Sequence, residues 1–136
     1  MSAQFRFDLV SPERLLVSTD AAHVVVPGVE GEFGVLAGHA PFMTTLRPGL
    51  LRIMETDGGP AQELFLKGGF AEVGDDRLTI LAEDALDPAG IDRAALEADI
   101  RNSEEDLRLS DDPVEIDRLE TALSWMRPLA ELLAVR

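Results

Sequence analysis

The chain has 136 residues, enough for one domain with a small appendage. It contains no cysteine, which excludes disulfides, thiolate metal sites and a thiol nucleophile, and fits a reducing cytoplasm. Acidic residues outnumber basic ones 26 to 12; the net charge of −14 opposes nucleic acid and anionic lipid as direct partners.

A hydrophobic fraction of 46% is too high for a disordered acidic tail. No apolar run approaches the ~20 residues of a membrane span, and no basic-plus-apolar leader opens the chain. Ten of the eleven glycines precede Leu86, and the last is Gly90. Residues 87–136 carry as many charges as residues 1–86 in far fewer positions, 6 basic and 13 acidic in each part. Glycine-rich, β-branched sequence followed by charge-rich, nearly glycine-free sequence reads as a β domain over 1–86 and helices over 91–136. The breaker cluster Asp87-Pro88-Ala89-Gly90 makes 87–90 the linker.

In the first part, Phe5, Phe7 and Leu9 alternate with Gln4, Arg6 and Asp8, the period of two of a strand with one buried face. Ser11-Pro12 ends it. Further strand-like runs follow at 14–19, 22–26, 42–46, 49–54, 63–73 and 77–83. Pro27-Gly28, Pro48-Gly49, Asp57-Gly58-Gly59-Pro60 and Gly74-Asp75-Asp76 have turn chemistry. The spacing predicts an antiparallel β-sandwich or flattened barrel. Gly28, Gly31 and Gly34 suggest positive φ in a tight inter-strand loop, and Gly68-Gly69 inside a strand suggests a bulge or close backbone approach.

The second part reads as two helices. Asp92 is the expected N-cap of the first, with Ile91 stapling onto Leu96, and Leu96, Ile100 and Leu107 share a face. Asp112 caps the second, Pro113 takes its first position and Glu115 is placed to close a capping box. Ile116, Leu119, Leu123, Met126, Ala130 and Leu133 form its stripe, and Pro128 is expected to kink it. Such a hairpin needs a surface on which to bury this stripe: the β domain, its partner helix or another protein.

Chemistry-bearing groups are sparse. There are two histidines and no tyrosine. His23 precedes a valine run and reads as a strand-face residue; His39, in Gly38-His39-Ala40-Pro41, either supports a turn or meets a partner. No serine carries a nucleophile-elbow pattern, and the paired carboxylates sit where solvated turns and helix faces are expected. The glycine-rich stretch from Gly28 to Gly34 lacks the lysine and hydroxyl of a phosphate loop and carries two carboxylates. No metal site or catalytic residue emerges, and the residues by themselves point to an interaction module.

The order of four stretches is nonetheless specific. Pro27-Gly28 followed by Glu30-Gly31-Glu32-Phe33-Gly34-Val35-Leu36 and Gly38-His39-Ala40-Pro41 resembles the signature loop of the epsilon subunit of bacterial F-type ATP synthases. Arg47-Pro48-Gly49 with Leu51-Arg52-Ile53, then Gly68 to Val73, then Thr79 to Glu83, follow as they do in that family. The mitochondrial delta subunit shares the fold, and the missing transit peptide favours a bacterial chain.

The resemblance implies a non-catalytic rotor subunit of the central stalk that requires no cofactor. Its expected partners are the gamma subunit, the membrane c ring and, transiently, the alpha/beta catalytic head. The expected location is peripheral, on the cytoplasmic side of the bacterial inner membrane. The loop that meets the c ring in the family matches Glu32 and His39, shaped by Gly31, Gly34 and Gly38; an exposed Glu32 is otherwise simply solvated. The resemblance also implies that the hairpin can extend into the catalytic head and restrain ATP hydrolysis.

Many family members also bind ATP through a motif at the start of the first helix. Ile91 and Asp92 match it, but Ala95 stands at its arginine position. Arg93 lies two residues early, about 200° away around a helix. Glu83 matches a carboxylate of the same site. Glu83, Ile91, Asp92 and Arg93 therefore describe a weak or vestigial ATP site.

Overall fold

The computed structural model describes residues 3–136. It divides into two compact units, Met1–Asp87 and Pro88–Arg136.

The described residues of the first unit form ten strands: β1 (Phe5–Val10), β2 (Leu15–Ala21), β3 (His23–Gly28), β4 (Gly31–Leu36), β5 (Phe42–Leu46), β6 (Gly49–Met54), β7 (Ala61–Leu66), β8 (Gly69–Gly74), β9 (Arg77–Leu81) and β10 (Ala85–Leu86). Hydrogen bonding connects them in the order β10-β7-β6-β3-β5-β8-β9-β1-β2, with β4 on β3. The strand β3 joins the two leaves of the sandwich. Its first residues, His23–Val25, pair with β6, and its last, Gly28, pairs with Leu46 of β5.

The two leaves share one core. Val24, Val26, Val35, Leu51, Ile53 and Leu66 come from one side of the junction; Phe5, Phe7, Leu9, Leu46, Ala71, Val73, Leu78 and Ile80 come from the other. The alternation of Phe5, Phe7 and Leu9 is realised as expected, with all three buried and Arg6 exposed between them.

Several local expectations are corrected. β1 and β9 run parallel, with Leu9 opposite Ile80, whereas every other ladder among the described residues is antiparallel. The two strands are far apart in sequence, so no hairpin turn dictates their direction. The run over 63–73 is two strands: β7 pairs with β6 and β10, while β8 pairs with β5 and β9. The chain changes leaf at Lys67-Gly68-Gly69. Gly68 has φ +119 and Gly69 has φ +152, and a Cβ on Gly69 would lie 2.2 Å from the Leu81 carbonyl oxygen. That is the close approach expected for this glycine pair.

The glycine-rich stretch is also a strand, not a loop. Pro27 and Gly28 end β3, the turn is Val29-Glu30, and Gly31 begins β4. Of the three glycines expected at positive φ, only Gly31 has it, at +134. Gly28 and Gly34 are required for space: an added Cβ would lie 2.7 Å from the Gly31 carbonyl oxygen and 2.7 Å from His23 Nε2, respectively.

In the second unit a short 3-10 turn, Pro88–Gly90, precedes α1 (Arg93–Leu109) and α2 (Pro113–Ala134). Asp92 caps α1 by accepting from the Ala95 N–H at 3.2 Å. Asp112 caps α2 by accepting from the Val114 N–H at 3.1 Å. The expected capping box is relayed: the Asp112 N–H donates to Ser110 Oγ, which donates to Glu115 Oε2 at 3.3 Å. The hydroxyl of Ser110 takes the backbone donor that Glu115 would otherwise have reached. The second helix continues through Pro128 to Ala134. The two helices pack on each other, and Arg127 bridges to Glu104 at 3.1 Å across the pair. Leu119, Leu123, Met126 and Leu129 are buried.

Candidate partner-contact site

The β3–β4 hairpin is built for a tight end. Gly28 pairs with Gly31 across the Val29-Glu30 turn, so neither side of the turn carries a Cβ. The turn is tied to β5 from three directions: the Val29 N–H donates to the Thr45 carbonyl, the Arg47 N–H to the Pro27 carbonyl, and Arg47 Nε to the Gly28 carbonyl at 3.2 Å. This lattice fixes a cleft of about 300 Å³ lined by Gly28, Glu30, Gly31, Glu32, Phe33, Phe42 and Thr44. Glu30 and Glu32 are both exposed. Phe33 meets Phe42 edge-on, with ring centroids 5.0 Å apart at 65°. Two carboxylates over an apolar floor suit a basic side chain, whose head would meet the charges and whose stem would cover the rings.

The other end of β4 is closely packed. Gly38 has φ +80, which turns the chain toward β5. The His39 N–H donates to the Leu36 carbonyl, and His39 Nδ1 lies 2.8 Å from the Ala40 carbonyl oxygen. The imidazole rests on Phe42, with centroids 5.3 Å apart. Phe5, Val35, Leu36, Gly38, His39, Val73, Gly74, Asp76 and Arg77 come together there with no room for a water molecule between them. The five residues expected at the partner contact thus share β4 and its flanks, but His39 does not line the cleft that Glu32 lines. Phe42 meets both Phe33 and His39, and neither it nor Glu30 was among the residues expected at the contact. Their signal was the alternation of β5 and the acid pair around Gly31, readable only once the register of β3, β4 and β5 is known.

The strand register creates an apolar stripe on the first unit. Phe70 pairs with Leu81, Leu81 with Val10, and Val10 with Leu15, so four apolar side chains from β8, β9, β1 and β2 stand in one row. Leu81 is 50% exposed and Leu15 56%. A depression of about 320 Å³ runs along the row between Ser11-Pro12 and Gly69, with Glu83 on its lining. On the neighbouring rows the face turns polar: Asp8 accepts from Ser18 Oγ at 2.6 Å, Arg6 bonds Ser18, and Arg77 lies 3.5 Å from Asp8. An exposed apolar row beside a self-satisfied polar one is the anatomy of a docking surface.

Residues 4–88 match the family model of the ATP synthase delta/epsilon chain β-sandwich domain. The chain is 45% identical over 132 residues to the ATP synthase epsilon chain of Parvibaculum lavamentivorans, covering 97% of each. The chain belongs to the ATP synthase epsilon chain family. That of Rhodospirillum centenum is 44% identical over 138 residues, covering 98% of this chain and 94% of its own. A chain in the structure of the Euglena gracilis mitochondrial ATP synthase superposes with a TM-score of 0.81 at 29% identity, covering 98% of this chain and 83% of that one. A chain from the Tetrahymena thermophila mitochondrial enzyme shares the fold, with a TM-score of 0.62 at 15% identity. The function that goes with membership is that of a non-catalytic central-stalk subunit of the F-type ATP synthase.

In this chain two of the residues that match the nucleotide motif have partners within α1. The Asp92 carboxylate is the cap of α1, and Arg93 Nε lies 3.1 Å from Glu97 Oε1. Ile91 is half-buried. Glu83 is exposed and belongs to the first unit, the other three to the second. Among the described residues no group of three or more His, Asp or Glu side chains is placed to hold a metal ion, and no helix is long and apolar enough to cross a membrane.

Proposed function

We propose that the sandwich couples the gamma subunit to the c ring, so that proton-driven rotation reaches the catalytic head. The observation that carries this reading is the presence of two different surfaces on one compact unit: an apolar stripe and an acid-rimmed, aromatic-floored cleft. The stripe, Val10, Leu15, Phe70 and Leu81, suits the gamma subunit, a permanent partner joined through apolar area. The cleft with Glu30 and Glu32, with Gly31, Gly34 and Gly38 shaping its strand, suits the polar loops of the c ring, whose basic groups complement it. The chain works peripherally, on the cytoplasmic side of a bacterial inner membrane, held there by its partners and not by lipid.

The hairpin is the regulatory part of the same reading. It restrains ATP hydrolysis through transient contact with the alpha/beta head. Support comes from its division from the sandwich as a separate unit. Its charge of 6 basic and 13 acidic residues over 87–136 favours a basic contact surface over an acidic one. No cofactor is required, and ATP is held weakly if Glu83, Ile91, Asp92 and Arg93 act at all.

Affinity capture of the tagged chain from its own detergent-solubilised membranes, followed by mass spectrometry, tests the assignment. Gamma, alpha, beta and c subunits are expected together. Recovery of the chain alone, under conditions that keep the synthase whole, overturns it.

A further inference from the structure

Positive charge is scarce in the β unit, so an arginine left there without a carboxylate is informative. Residues 1–86 hold 6 basic and 13 acidic side chains. Arg6, Arg52, Lys67 and Arg77 each have a carboxylate at ion-pair distance. Arg47 has none among the described residues, although it is bonded to the hairpin that carries Glu30 and Glu32. Arg14 shares this lack, but its hydrogen bonds are made by its backbone and none holds its side chain.

The side chain of Arg47 is anchored. Its Nε–H donates to the Gly28 carbonyl at 3.2 Å, and its backbone N–H donates to the Pro27 carbonyl at 3.0 Å. Gly28 lines the acid-rimmed cleft. A guanidinium can take a carboxylate bidentately along the edge that includes Nε or at the end with both terminal nitrogens. The Gly28 carbonyl occupies Nε, which leaves the end with Nη1 and Nη2. Arg47 is exposed, and neither terminal nitrogen bonds a described residue. The fork is thus held before any partner arrives, and less of its ordering cost falls on the binding step.

We propose that Arg47 is a recognition residue: anchored through Nε to the cleft wall, it presents its terminal fork to an aspartate or glutamate side chain of the c ring's polar loops. The inference rests on the reading that the cleft beside it faces the c ring. Charge selects the occupant. Glu30 and Glu32 suit a base, and Arg47 suits an acid, so the partner segment carries both signs in a fixed order. A segment shifted along the cleft would bring its base to Arg47 and its acid to the glutamates, and like charges would oppose it. Arg47 therefore sets the register of docking, which carboxylates alone could not do.

The variant Arg47→Gln separates the anchor from the fork, because the glutamine Nε2 stands where the arginine Nε stood and can still donate to Gly28. Its melting temperature is expected to be unchanged. Its affinity for ATP synthase membranes stripped of this subunit is expected to fall about tenfold at low salt, the worth of hydrogen bonds to a charged group. The deficit is expected to shrink at high salt, where an exposed ion pair is screened. Arg47→Glu, which sets acid against acid, is expected to bind more weakly still. The affinity of Arg47→Gln for the detached head-and-gamma complex, which lacks the c ring, is expected to stay at the wild-type level.

Wild-type affinity of Arg47→Gln for the stripped membranes overturns the inference, as does a deficit that salt leaves unchanged. If the variant melts lower, the salt dependence still decides, because a lost anchor is not screened. Equal weakening on the complex without the c ring overturns the choice of partner. So does Arg47-dependent binding of the chain to protein-free phosphatidylglycerol vesicles, which would make a lipid phosphate the occupant. Failure of the wild-type chain itself to rejoin stripped membranes overturns the functional reading, and the docking claim with it.

Discussion

Gly34 shows how a glycine can be required by a neighbour's side chain and not by its own backbone. It lies in β4 without positive φ, yet an added Cβ would sit 2.7 Å from Nε2 of His23, across the ladder on β3. Gly34→Ala is therefore expected to destabilise the chain by about 1–3 kcal/mol, the range of overpacking. The double variant His23→Ala/Gly34→Ala is expected to recover most of that loss, because the atom in the way has gone. Thermal melts of the two single variants and the double one complete the cycle, and strictly additive losses would show that the imidazole is not the obstacle. At this scale the sequence was only partly legible. The stretch from Gly28 to Gly34 was recognisable as special, but the reason differs at each position: backbone conformation at Gly31, and room for a facing group at Gly28 and Gly34. A facing group is a property of register, and register is not written in local composition.

Among the elements, the helices were the more legible. Capping depends on residues one to three positions apart, so Asp92, Asp112 and Pro113 declared both helix starts. Asp92→Ala is expected to lower stability by about 1 kcal/mol, while Asp92→Asn, which retains an acceptor for the Ala95 N–H, stays near the wild type. Denaturant melts followed by circular dichroism check this; an equal loss in both variants would mean that the carboxylate charge, and not the cap bond, carries the effect. Where the expectation slipped, a third side chain intervened. Ser110 lies between Asp112 and Glu115, so the reciprocal pair became a relay. The strands were harder. β4 reads as a glycine-rich loop because three of its neighbouring positions lack side chains, and the run over 63–73 hides a change of leaf. Both are decided by pairing with segments distant in the chain.

For the molecule as a whole, the question of nucleotide is the sharpest. Arg93, the guanidinium two positions before the motif's arginine position, is bridged to Glu97 on the next helical turn, and Asp92 serves as a helix cap. Millimolar ATP is therefore expected to leave the melting temperature of the full chain within about 1 °C of its value in GTP. A ligand present below its Kd contributes well under 1 kcal/mol of stabilisation. A rise of several degrees specific to ATP would show that the site is functional despite Ala95.

The sequence by itself determined the class of the protein. Glycine and charge partition along the chain separated a β unit from a helical one, alternation marked the buried faces, and four ordered stretches carried the family. These are local or compositional signals, and they survive without knowledge of what packs against what. Only the tertiary structure decided which side chains share a surface. It brought Phe42 against both Phe33 and His39, put Glu32 on a cleft that His39 does not line, and lined up Val10, Leu15, Phe70 and Leu81 across four strands. The physical reason is that a sheet face is assembled from residues far apart in sequence, and a slip of one residue in any strand would turn its contribution to the opposite side.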